Sequence, residues 1–218
     1  MIRRPRLLTT AAAGAAALLL LSGCGGGGGG SKSKDKISGA DPGAVSSASP
    51  TASATSSSGR PKITLPSDLT LTFEDSNTGD AVKDAVLADS AERLRAVDAA
   101  IAGTDPKGEA VAYYNTGKAL EAALSWVAQF QKADATVTGE VRYYDRKVAL
   151  KSKTSATLIF CGDESKGFSK DKKTHKIAKT PVTKNSYVLY NTRLDKNSDG
   201  VWQTSQIISV RGAAQCQP

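Results

Sequence analysis

The strongest constraint on the fold is a change of period near Thr136. Upstream, Leu87, Ala91, Leu94, Val97 and Ile101 recur at spacings of three and four, the signature of one helix face. Asp80 stands where an N-cap belongs and Gly103 where the helix stops. Asp105-Pro106 supplies a cap and a first-turn proline for a second helical region. Asn115-Thr116-Gly117 predicts a break. A longer helix follows, with Leu120, Leu124, Val127 and Gln131 on one line and Ala123 and Phe130 beside it. Downstream, residues 136–144, 154–161, 187–194 and 202–210 are rich in β-branched and aromatic side chains. Helices first and then a run of strands predicts an α+β domain, with helices packed on one face of an antiparallel sheet.

The last strand alternates in part, with Trp202, Gln206, Ile208 and Val210 on one face. Val201, Ile207 and Arg211 take the other. Both faces carry apolar side chains. One covers the helices, and the other stays open or pairs with a second subunit, as in a homodimer.

The first 65 residues do not belong to that pattern. Arg3, Arg4 and Arg6 precede a short apolar run from Leu7 to Leu21, too short to span a bilayer and suited to a signal peptide over residues 1–23. The run ends in Leu21-Ser22-Gly23-Cys24, which resembles the bacterial lipobox. That resemblance implies diacylglyceryl transfer to Cys24, which becomes the first residue of the mature lipoprotein. The two acyl chains of that group, palmitate being one such chain, would hold it stably on a membrane. Residues 24–65 are dominated by Gly, Ser, Ala, Thr and Pro and are expected to form a disordered linker. Its flexible stretch would reach roughly 30–37 Å from the membrane. Localisation on the outer face of the cytoplasmic membrane of a Gram-positive-type bacterium follows from the anchor.

Three cysteines is an odd count for an exported chain. Acylation of Cys24 leaves Cys161 and Cys216, which are expected to pair outside the cytoplasm. The formal charge of +8 would suggest nucleic acid, but it lies mostly in the signal and linker segments. Residues 66–218 carry only +2, split into −6 over 66–139 and +8 over 140–218. The Lys-rich stretch 166–184 holds one aromatic, Phe168, and reads as a solvated loop rather than a stacking surface.

Residues 156–163 (Ala-Thr-Leu-Ile-Phe-Cys-Gly-Asp), Gly200-Val201-Trp202 with Cys216, and Tyr113-Tyr114 running to Val141 together resemble the nuclear transport factor 2-like, or cystatin-like, roll of exported actinobacterial-type lipoproteins. The resemblance covers about residues 68–218. It implies a sheet curled around the long helix to leave a conical pocket. Family members include binding proteins, dehydratases and isomerases, so the fold does not supply the function.

Tyr113, Trp126, Phe130, Tyr143 and Trp202 are the candidate pocket lining. The sole histidine, His175, sits among lysines in a polar loop and is a poor catalyst. Asp84, Asp98 and Asp134 are the helical acids that a proton-transfer reading would need. Residues 195–200 (Asp-Lys-Asn-Ser-Asp-Gly) match the first half of a calcium loop, but Gln206 stands where the bidentate acid belongs. A hairpin turn is the expected reading, with no metal and no cofactor. The leading functional expectation is a non-catalytic binding or interaction module for a small apolar ligand or an envelope protein. The alternative is a dehydratase- or isomerase-like enzyme using an acid in the cone.

Overall fold

The computed structural model describes residues 59–74 and 77–218. The signal segment, Cys24 and the linker up to residue 58 lie outside the described residues. Strand β1 (Leu69–Phe73) leads to helices α1 (Ala81–Ala102), α2 (Glu109–Tyr114) and α3 (Gly117–Lys132). Strands β2 (Ala135–Leu150), β3 (Ser155–Asp171), β4 (Ile177–Ala178), β5 (Tyr187–Lys196) and β6 (Trp202–Arg211) follow. The sheet order is β1-β2-β3-β5-β6, with β4 on the far half of β3. The helices pack on one face of this curved sheet, as the change of period predicted.

Strand β1 was not visible as a strand in the sequence. It pairs parallel to β2, with Leu69 opposite Gly139 and Phe73 opposite Tyr143. A parallel pair needs a long crossover, and the three helices provide it. The remaining named pairs are antiparallel. Register shifts between Glu140 and Arg142 and between Tyr144 and Lys147 bend β2. Gly139 stands at the first bend with φ +98°, and a Cβ there would collide with the Lys166 carbonyl oxygen at 2.1 Å. No other residue type fits that close approach.

Helix α1 starts and stops where its caps require. The Asp80 carboxylate accepts from Val82 N–H at 2.9 Å and Lys83 N–H at 3.2 Å, and Gly103 closes the other end. Helix α2 begins at Glu109, later than Pro106 suggested. Gly108, not Asp105, is the N-cap residue, and the Asp105 carboxylate accepts from Glu109 N–H and Ala110 N–H from outside the helix. The break after Tyr114 is real, and Asn115 is held there by its own side chain. Helix α3 is amphipathic and buries Ala119, Ala123 and Val127. Helix α1 buries polar residues as well as apolar ones, because the sheet and both other helices contact it.

Residues 60–65, counted with the linker on composition, pack on the domain. Ile63 and Leu65 join the two apolar clusters, and Thr104 Oγ1 donates to the Thr64 carbonyl at 2.7 Å. A Cys161–Cys216 disulfide pins the C-terminal turn (Ala214–Cys216) to the outer face of β3. It closes a separation of 55 residues, worth about 4 kcal/mol on the chain-entropy account.

Candidate functional site

One cavity of about 530 Å³ lies between α1, α3 and the inner face of β2, β3, β5 and β6. Its construction begins with an aromatic row across the sheet. Phe73 stacks on Tyr143 at 5.1 Å, Tyr143 meets Phe160 edge-on at 5.9 Å, and Phe160 stacks on Tyr190 at 4.9 Å. Gly162 makes the row possible: a Cβ there would sit 3.1 Å from the Tyr190 ring and 3.4 Å from that of Tyr143. Tyr143 and Tyr190 line the cavity.

The exposed rim is apolar on the α3 side and polar on the strand side, where Ser169, Ser209 and Arg211 stand. Trp126 and Phe130 of α3 meet edge-to-face at 5.1 Å, and Trp126 remains 45% exposed. Phe168 and Ile207 complete the lining from the sheet side. The deep end is polar, and α1 supplies it. Arg93 is only 6% exposed and lines the cavity. Its Nε donates to Asn115 Oδ1 at 2.7 Å, while Asn115 Nδ2 donates to the Val111 carbonyl at 2.8 Å. The helix break at Asn115 therefore positions the guanidinium. Burial lowers the Arg93 pKa, opposed by Tyr190, Tyr143 and Asp98.

Asp98 lies in the same cavity. Burial raises its carboxyl to about 7, the nearby Glu164 charge adds to the rise, and Arg93 opposes it. No hydrogen bond or ion pair holds Asp98 among the described residues. Tyr143 is 5% exposed, and its hydroxyl likewise has no hydrogen bond among the described residues. Burial and then the Asp98 charge push that phenol well above its ordinary value. Glu164 is differently placed. It accepts from Tyr190 Oη at 2.8 Å and pairs with Arg211 at 2.7 Å.

Of the sequence-based lining set, the structure brings Trp126, Phe130 and Tyr143 to the cavity. Tyr113 and Trp202 are elsewhere. Tyr113 packs edge-on against Tyr114 beside the α1–α2 cluster. Trp202 is 1% exposed inside the main core. Of the three acids, Asp98 alone reaches the cavity. Asp84 accepts from Thr78 N–H at 2.9 Å and Thr78 Oγ1 at 2.7 Å, and Asp134 pairs with Lys173. His175 is exposed in the turn after β3, with φ +58°.

Strand β6 departs from simple alternation. Arg193 pairs with Gln206 but Leu194 pairs with Thr204, so Ser205 is an inserted bulge residue. The bulge exchanges the faces downstream. Ile207, Ser209 and Arg211 therefore enter the cavity lining with the Thr204 side, while Ile208 and Val210 face solvent at 68% and 51% exposure. The turn at 197–200 is a hairpin: Asn197 Oδ1 accepts from Asp199 N–H and Val201 N–H. Asp195 accepts from Ser205 Oγ at 2.6 Å and from Arg193. Among the described residues no cluster of three or more metal-ligating side chains occurs.

Arg93, Glu164, Tyr190 and Arg211 were not expected at a site. They lack a local signal. Arg93 is one basic residue in a helix of mixed charge, and the other three come together only through strand pairing.

No family model and no curated protein matches the chain. Solved structures with some similarity include a ketosteroid isomerase-like protein from Erwinia carotovora atroseptica, 20% identical, with a TM-score of 0.38, covering 62% of this chain and 97% of that one. A structure from Catenulispora acidiphila is 12% identical, with a TM-score of 0.37, covering 57% and 92%. The intermembrane-space region of the chloroplast protein ARC6 is 11% identical, with a TM-score of 0.33, covering 63% and 98%. No residue role is carried over from them.

Proposed function

We propose that this chain is a lipid-anchored, extracytoplasmic protein that binds a small amphipathic molecule in the α1–α3 cavity. The observation that carries this reading is the division of the cavity. An apolar flank of Trp126, Phe130 and Phe168 runs inward to Arg93, Asp98 and Tyr143, which hold unused hydrogen-bonding capacity. Ligand sites combine an apolar lining with a few convergent polar groups in this way. The lipobox-like segment ending at Cys24 and the Cys161–Cys216 pairing support an exported location.

Two measurements test the reading. Calorimetric titration of the full chain with a ten-carbon amphiphile should show saturable binding that Ala123→Trp, which fills the cavity, removes. Saturation unchanged in a folded A123W protein would show that the cavity is not the site. For the anchor, Cys24→Ser should abolish labelling by a palmitate analogue and release the protein from the membrane fraction.

A second reading, proton-transfer catalysis of the isomerase or dehydratase sort, is favoured by Asp98. A carboxyl raised to about 7 beside a cavity can both accept and return a proton near neutral pH. Under it, Asp98→Asn keeps ligand binding but abolishes exchange of ligand carbon-bound protons with deuterated solvent. If wild-type protein shows no such exchange, the binding reading stands alone.

A further inference from the structure

We infer that the ligand carries a single carboxylate head, held in the deep end of the cavity by the Arg93 guanidinium, with its apolar tail toward Trp126. This rests on the cavity being the binding site.

Charge pairing in the cavity supplies the argument. Glu164 and Arg211 form an ion pair with each other, and Glu164 also takes the Tyr190 hydroxyl. Each partly offsets the charge of the other. Arg93 has no such partner. Only its Nε is used, on the neutral amide oxygen of Asn115, and no acid lies within ion-pair distance among the described residues. Its terminal amino groups are not sealed in the core and open onto the cavity. A guanidinium that is 6% exposed and lacks a counter-charge is costly, and an anion entering the cavity relieves that cost.

The geometry of the donors selects the anion. A guanidinium presents its amino groups as a planar fork that matches a carboxylate in two parallel hydrogen bonds. Tyr143 adds an unpartnered hydroxyl nearby, and Asp98 adds an O–H donor when it is protonated. One uncompensated positive charge balances one negative charge. A phosphate head takes on a second negative charge above about pH 6, which brings an excess of charge next to Asp98. A cationic head would face Arg93 itself.

Affinity should also depend on pH. The charged and titratable groups facing Asp98 are Arg93 from α1, Tyr143 from β2, Glu164 from β3, Tyr190 from β5 and Arg211 from β6. Burial and Glu164 keep Asp98 protonated up to about pH 7. Below that pH it donates to the ligand carboxylate, and above it the two carboxylates repel.

The test uses the full chain and four probes with one tail: decanoate, decanol, decyltrimethylammonium and decyl phosphate. Decanoate should bind roughly 10- to 100-fold tighter than decanol at pH 6, the range expected of a charge-assisted hydrogen-bonded contact. That advantage should shrink as pH rises through 7, and Asp98→Asn should flatten the profile. In Arg93→Met, decanoate should fall to the affinity of decanol while decanol is unchanged. Equal binding of decanoate and decanol, or tightest binding of the cation or the phosphate, overturns the carboxylate assignment and leaves the cavity reading intact. Binding of none of the four overturns both. The comparison among probes is made on the wild-type chain, so it stands even if Arg93→Met fails to fold.

Discussion

Helix α1 carries two buried charges four residues apart, Asp89 and Arg93, which therefore share a face. Their surroundings are opposite. The Asp89 carboxylate is 2% exposed and accepts from Trp202 N–H at 2.8 Å and from the Arg60 guanidinium, which also reaches Tyr114. Burial of that acid ties the pre-helical segment and β6 to α1. Arg93, almost as buried, spends one donor on Asn115 and leaves the rest facing a cavity. A buried charge with its partners in place is a structural clasp. A buried charge without them, beside an open volume, marks a place where another molecule completes the set.

That contrast can be broken by substitution, and the largest effect belongs to the closed site. Asp89→Ala removes the acceptor of Trp202 N–H and strands Arg60, and should cost about 3 kcal/mol. Urea unfolding should show a lower midpoint with an unchanged slope. A loss smaller than that of Arg93→Met would reverse the comparison.

Next in size is the effect of Asp98 on pH dependence. Its folded pKa, about 7, lies above the ordinary 3.8, so the folded state holds more protons between those values. Stability from this group is therefore lost as pH rises from about 4 to about 7, and is constant outside that window. Asp98→Asn should match the wild type at pH 3.5 and exceed it by about 2 kcal/mol at pH 8, part of the full shift being relaxed by water in the open cavity. Denaturant midpoints at the two pH values measure this. A variant no more stable at pH 8 than at pH 3.5, relative to wild type, refutes the raised carboxyl at Asp98.

Arg60→Met should cost about 1 kcal/mol, because Arg60 is one-third exposed and Trp202 N–H still serves Asp89. The smallest effect is expected at Arg93. Its replacement by Met loses the Asn115 contact but also removes an uncompensated charge, so stability should change by less than about 1 kcal/mol. Thermal unfolding of the two variants side by side sharpens the contrast between clasp and open site.

Much of the scaffold was readable from local signals. The apolar spacing of α1, its caps at Asp80 and Gly103, the break at Asn115 and parts of four strands were visible, but 166–171, with the composition of a loop, continue β3 and bring Phe168 to the cavity. The cysteine count led to the Cys161–Cys216 pair. Strand β1 has no local signal, because five residues of ordinary composition, Leu69–Phe73, become a strand only beside β2. Ile63 and Leu65 were too sparse to separate from the linker, yet each finds a cluster to join. In β6 the sequence alternation was sound as far as Thr204. The bulge at Ser205 then exchanged the faces, and no residue type announces such an insertion.

The site itself was legible only in its aromatic half. Trp126, Phe130 and Tyr143 are large and apolar, and the family resemblance implies a pocket for such side chains to line. Tyr113 and Trp202 have the same chemistry but fill core positions. Period and capping depend on neighbours within a few residues, and a sequence carries those neighbours with it. Whether Asp89 or Arg93 finds a partner depends on Arg60, Asn115 and Trp202, between 22 and 113 residues away. That pairing is an outcome of packing, because electrostatic satisfaction is a property of positions in space and not of order along the chain.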